Sequence, residues 1–188
     1  MSELILNSDG WISGALHYPS PNYNERPGGA EISLLVVHNI SLPVGVFGNG
    51  FVVDLFLNRL DVREDPSFES LQGLKVSSHL MITRDGALLQ FVSVNDRAWH
   101  AGESKYQTQK NCNDFSVGIE LEGTDTLAFE DAQYKKLIAV TNLLQQHFPA
   151  ITHDRVVGHC DIAPKRKTDP GIAFDWQRFR GGLCADCC

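Results

Sequence analysis

Two histidines and an aspartate in this chain have the types and placement of a metal-ligand set. His159 and Asp169 stand ten residues apart in the run GHCDIAPKRKTDPG from Gly158, across a segment containing Pro164. A loop of that kind is free to fold both side chains inward. His38 follows the apolar run Leu34-Leu35-Val36-Val37, at what reads as the C-terminal end of a strand. Together they offer two imidazoles and one carboxylate, a set that suits Zn2+ and leaves a fourth position open for water, as catalytic sites do. Taken alone, a histidine at a strand end is more often packed and hydrogen-bonded than a ligand. The loop that carries a second histidine and a carboxylate tips the reading. His79 and His100 also fall beside predicted strands or loops and are further ligand candidates.

Hydrolysis at such a centre needs one group to take a proton from water and another to steady an oxyanion. Glu120, within SVGIELE, and Lys167, two residues before Asp169, are suitable types. Period-two geometry puts Glu120 and Glu122 on the same side of their strand, so alternation does not separate them. Composition alone would make Lys167 a solvated charge in the basic run Lys165-Arg166-Lys167; its seat in the ligand loop reverses that. Asn39, next to His38, is placed to hydrogen-bond a substrate, and Trp99 offers a flat apolar face for stacking; structural packing is the alternative for both. Rival chemistries find little support: there is no Gly-x-Ser-x-Gly elbow and no His-Glu-x-x-His helix. Five cysteines, three of them in the terminal CADCC, argue against a disulfide framework, and the lone Cys-x-x-Cys lacks a second pair at zinc-finger spacing.

The elements that must position these residues follow from periodicity. Leu34–His38 reads as a strand buried on both faces, and Gly50–Leu60 as an amphipathic helix with Phe51, Val52, Leu55, Phe56 and Leu60 on its stripe. Residues 79–83 and 87–94 flank Arg84-Asp85-Gly86 as a β-hairpin. Along 116–122, Val117, Ile119 and Leu121 share one face and Gly118, Glu120 and Glu122 the other. Residues 130–148 carry an apolar helical stripe that Pro149 stops. Val156–His159 is strand-like, and 175–180 reads as one or two helical turns. The alternation predicts an α/β fold: a single domain with a mixed central β-sheet flanked by helices and a zinc site at one edge of the sheet.

At 188 residues and 43% hydrophobic content the chain has the size and composition of one domain, expected over 1–180, with 181–188 a disordered tail. A net charge of −7 argues against nucleic acid as a partner. The opening MSELILNSDG has neither a basic start nor a long apolar core, so no signal peptide is expected, and no run approaches the length of a membrane span. These readings point to a cytoplasmic protein that needs neither a membrane nor an obligatory protein partner.

Four stretches carry a resemblance: LLVVHNISLP from Leu34, RAWHAG from Arg97, CNDFSVGIELEGTD from Cys112 and GHCDIAPKRKTDPG from Gly158. Over about Gly10 to Arg180 the chain resembles the AmpD-type 1,6-anhydro-N-acetylmuramyl-L-alanine amidases, in the larger group of zinc amidases that includes peptidoglycan recognition proteins. The resemblance implies that His38, His159 and Asp169 hold zinc, that Glu120 rather than Glu122 is the catalytic acid, and that Lys167 is the catalytic lysine. It further implies a role in cytoplasmic wall recycling, a negative influence on β-lactamase induction, and a muropeptide substrate, whose sugar ring Trp99 could stack against and whose stem carboxylates a basic rim of Lys75, Lys110 and Arg166 could meet. Relatives in this family can carry arginines where this chain has Lys75 and Asn111, a departure from a bidentate carboxylate clamp. The tail GGLCADCC resembles nothing in the family.

Overall fold

The computed structural model of the protein describes residues 4–184. Four two-residue strands, β1 (Ile5–Leu6), β2 (Ile12–Ser13), β3 (Leu16–His17) and β4 (Tyr23–Asn24), lead into the longer β5 (Leu34–Ile40). Helix α1 (Phe51–Phe56) and the hairpin β6 (Leu80–Ile82) and β7 (Leu88–Gln90) follow, then the short β8 (Arg97–Ala98), β9 (Lys105–Tyr106) and β10 (Gln109–Lys110). The second long strand is β11 (Ser116–Glu122), and after it come α2 (Asp131–His147), β12 (Val156–Gly158), α3 (His159–Ile162) and α4 (Trp176–Gly181).

Six strands form the central sheet in the order β12-β5-β11-β6-β7-β3. The β12, β5, β11 and β6 strands run parallel, β7 returns antiparallel to β6, and β3 pairs parallel with β7. This is the expected mixed sheet. Its parallel part is covered on both faces, as parallel sheets require: all seven residues of β11 and the first five of β5 are buried. Leu35, Val37, Val117, Ile119 and Leu121 meet the stripe of α2, where Tyr134, Leu137, Val140 and Leu144 are buried. Each such side chain contributes about 1.5–3 kcal/mol on removal from water. Leu34 and Val36 pack on the opposite face with Ala101, Cys112, Phe115 and Ile162. His38, Ser116, Gly118, Glu120 and Glu122 share the parity of that second face.

The β6–β7 hairpin forms as read, with Met81 opposite Leu89 and Gly86 at φ 84 in the turn. The helix expected over 50–60 is shorter and stops at Phe56. Asn58 adopts a left-handed conformation at φ 57, and the buried Asn22 amide donates to the Phe56 carbonyl (3.1 Å) and to Asn58 Oδ1 (2.8 Å). Local side-chain bonding thus outcompetes an apolar stripe that would have continued to Leu60. The final helix begins at Trp176, with the Asp175 side chain accepting from the Arg178 amide at 2.9 Å. The chain does not leave the core at Arg180: Gly181 ends α4 and Leu183 is 8% exposed within the main hydrophobic cluster. Cys187 and Cys188 of the CADCC motif lie outside the described residues. Among the described residues Cys112, Cys160 and Cys184 are unpaired thiols, and no helix is long and apolar enough to cross a membrane.

Candidate metal centre

Open α/β sheets place ligands at the carboxyl ends of their parallel strands, and here three adjacent strands deliver the predicted residues to that end. His38 lies on β5, two residues before the strand's end. Its register partner on β11 is Glu120, so the two side chains stand next to one another on one face. The edge strand β12 ends at Gly158, and His159 is the first residue of α3. The chain then turns back: the Arg166 and Lys167 amides donate to the Ala163 carbonyl, and the Cys160 amide donates to the Asp169 carbonyl at 2.9 Å. That last bond returns Asp169 to the start of α3.

Three side-chain atoms converge. His38 Nδ1 is 2.9 Å from His159 Nδ1 and 3.0 Å from Asp169 Oδ2, and His159 Nδ1 is 3.0 Å from the same oxygen. Donor atoms about 3.3 Å apart are what tetrahedral bonds of about 2.0–2.1 Å to zinc would give, so the triangle has the right size. The His159 ring is oriented from behind, since Nε2 lies 3.0 Å from the Ala101 carbonyl and must be the protonated nitrogen, leaving Nδ1 as a lone pair. A lone pair and a carboxylate aimed at one point with a second imidazole make a set that only a cation or a proton reconciles. The residues therefore fit a divalent metal.

The electrostatics agree with the geometry. Burial pushes the His38 imidazole down to about 4, against the opposing pull of Asp169. For Asp169, burial raises the carboxyl, but hydrogen bonds from His159 and His38 and their charges more than offset it and hold it below the usual carboxylate range. Glu120 is raised well above the usual range, first by burial and then by Asp169, with Lys167 acting the other way. Its Oε2 is buried without any hydrogen-bond partner, and an unsatisfied buried carboxylate oxygen calls for a functional explanation.

The structure separates the two glutamates that alternation left level. Glu122 Oε1 accepts from the Gly48 amide at 2.6 Å and Oε2 from the Arg84 amide at 3.0 Å, so Glu122 braces two turns. Lys167 is half-buried on the ligand loop and its charge is felt by both His38 and Glu120. The expected substrate contacts are partly engaged already. Asn39 Nδ2 donates to Asp125 Oδ1 at 2.7 Å, and Trp99 Nε1 donates to Asn24 Oδ1 at 2.7 Å. Arg166, read as a free rim charge, donates to the carbonyls of Ala101 (2.6 Å) and Glu103 (2.8 Å). It lines a cleft of about 550 Å³ together with Lys105, Lys110 and Lys165. Lys75 is exposed. Neither His79 nor His100 joins the converging atoms. His79 Nδ1 instead accepts from the Gly118 amide at 3.0 Å. The Ala101 carbonyl and Asp125 were not foreseen, and a backbone acceptor leaves no signal in residue type.

The N-acetylmuramoyl-L-alanine amidase family model matches residues 28–172, a span that contains the whole cluster. The chain is 54% identical over 176 residues to the 1,6-anhydro-N-acetylmuramyl-L-alanine amidase AmpD of Citrobacter freundii, covering 94% of each chain. It superposes on the crystal structure of a selenomethionine AmpD derivative with a TM-score of 0.93 at 53% identity, over 96% of this chain and all of that one. A more distant likeness, TM-score 0.60 at 27% identity over 86% of this chain and 65% of that one, is to the Escherichia coli amidase AmiD in complex with the substrate anhydro-N-acetylmuramic acid-L-Ala-D-gamma-Glu-L-Lys. On this agreement of sequence and fold, the chain belongs to the N-acetylmuramoyl-L-alanine amidase family.

Proposed function

We propose that the protein is a zinc-dependent amidase that hydrolyses the amide between the lactyl group of (1,6-anhydro-)N-acetylmuramic acid and L-alanine in muropeptides. The observation that carries this reading is the convergence of His38 Nδ1, His159 Nδ1 and Asp169 Oδ2 within about 3 Å of one another beside the unpartnered Glu120 carboxyl. The relatives' names and the substrate held by AmiD support the choice of bond.

Zinc, when bound by the three ligands, supplies Lewis acidity that activates water and polarises the scissile carbonyl. Glu120 takes the proton released by the attacking water and returns it to the alanine nitrogen, which must be protonated to leave. A carboxyl whose proton affinity is raised by burial suits both transfers. The Lys167 ammonium steadies the negative charge that develops on the carbonyl oxygen. Trp99 is assigned as a stacking platform for the sugar, Asn39 as a hydrogen-bonding contact through its free carbonyl, and Lys75 and Arg166 as contacts for stem-peptide carboxylates. The residues that act on substrate are assigned to 1–180, with Leu183 completing the core and the cysteine-rich terminus beyond it dispensable. We assign the enzyme to cytoplasmic recycling of wall fragments, where it lowers the level of those that induce β-lactamase.

The test is mass-spectrometric product analysis of zinc-loaded protein with anhydro-muramyl tripeptide and, separately, its non-anhydro counterpart, each with and without chelator. Free tripeptide from the anhydro substrate, lost with chelator and regained with zinc, is the expected result. Equal cleavage of both substrates would keep the chemistry and remove the recycling role. Binding without cleavage would make the protein a recognition module.

A further inference from the structure

We propose that His100 is a positioning residue that fixes His38 as the Nε2–H tautomer, so that the His38 Nδ1 lone pair faces the metal. The inference rests on the reading of His38 as a ligand. It begins at a group whose role is fixed, the Cys112 backbone carbonyl, which can only accept. Ser116 Oγ lies 2.6 Å from it, so the hydroxyl proton goes there. With its proton committed, Ser116 Oγ must accept from His100 Nε2, 3.0 Å away. His38 and Ser116 are the ring's hydrogen-bond partners, and no carboxylate is among them; a charged imidazole there would be buried without a counter-ion, so the ring is neutral. Neutral His100 protonated on Nε2 has a lone pair on Nδ1, which lies 2.9 Å from His38 Nε2. His38 Nε2 therefore carries the hydrogen, and Nδ1 is bare toward His159 and Asp169.

A second observation points the same way. Gly118 is the only residue type that admits this ring: a Cβ there would lie 2.5 Å from His100 Cγ and Nδ1. The backbone of the ring is clamped as well, since Asn113 Oδ1 accepts from both the His100 and Ala101 amides at 3.2 and 2.8 Å. Ligand His159 is held through its far nitrogen by a carbonyl; His38 is held by a three-member relay that ends on one.

Two readouts test this, neither of them catalysis. In zinc-loaded, 15N-labelled protein at neutral pH, two-bond 15N–1H correlation should show His38 protonated on Nε2. Zinc affinity, measured by competition with a chromophoric chelator, should fall about 10–100-fold in His100→Phe and by less in Ser116→Ala, which frees the relay at its anchor. A His38 ring protonated on Nδ1, or a folded His100→Phe variant within twofold of the parent, would overturn the assignment. If His100→Phe does not fold, the parent spectrum and Ser116→Ala decide. A parent protein that binds no zinc would defeat the metal-centre reading itself, an outcome distinct from failure of the relay alone.

Discussion

Glu120 and Glu122 differ in what their carboxyl oxygens meet, and the difference predicts opposite phenotypes. Glu120→Gln keeps the shape and removes the proton acceptor, so kcat should fall about 10²–10⁴-fold. The same change relieves a buried carboxyl without a partner, so the apo protein should gain ~0.5–2 kcal/mol in denaturant unfolding at neutral pH. Lys167→Ala should lower kcat about 10²–10³-fold. His79 contributes to the acid sensitivity of the fold, as do the buried His38 and His100, which are depressed in the same direction: burial, with the Arg26 guanidinium behind it, pushes His79 down to about 3. Its folded value lies below the ordinary 6.5, so the unfolded chain binds the proton more readily between those values. Stability is thus fully present above about 6.5 and declines as pH falls toward 3. Unfolding midpoints at pH 7.5, 6 and 5 should fall in that order, and His79→Gln should flatten the trend. The converging histidines and aspartate were legible in residue type and spacing, whereas the different surroundings of the two glutamates were not, because Glu122 meets amides of Gly48 and Arg84 far along the chain.

At the scale of elements, strands β5 and β11 were readable because burial on both faces or clean alternation leaves a periodic signature. Helix α2 was readable to within a residue at each end because proline closes it. The end of α1 was not, since it is fixed by Asn22, a residue more than thirty positions earlier. Glu122 belongs to this scale: it ties the turn at Gly48 and the hairpin turn at Arg84 to β11, and Arg84 in turn stacks over Phe47. Glu122→Ala should therefore destabilise by ~1–3 kcal/mol through two orphaned amides, with kcat reduced far less than in Glu120→Gln. Equal losses of kcat in the two variants would remove the distinction between them.

For the whole molecule, length and composition point to one domain, and the extent of the family resemblance sets the expected boundary at residue 180. Leu183, beyond that boundary, is buried in the main hydrophobic cluster, and its neighbour meets α2: the Cys184 amide donates to Asn142 Oδ1 at 3.1 Å. Truncation after Leu183 should leave amidase turnover and thermal midpoint unchanged. Truncation after Arg180 removes a buried leucine and the last residue of α4, and should lower stability by ~2–5 kcal/mol.

One carbonyl joins parts of the molecule that selection would act on separately. The Ala101 oxygen receives both the His159 ring and the Arg166 guanidinium. A lineage that altered Arg166 to accept a different stem peptide would at the same moment loosen the acceptor that aims a ligand. Under the proposed roles of Arg166 and His159, substrate range and metal retention are not independent traits, and variants selected for a new substrate should need more zinc to show it.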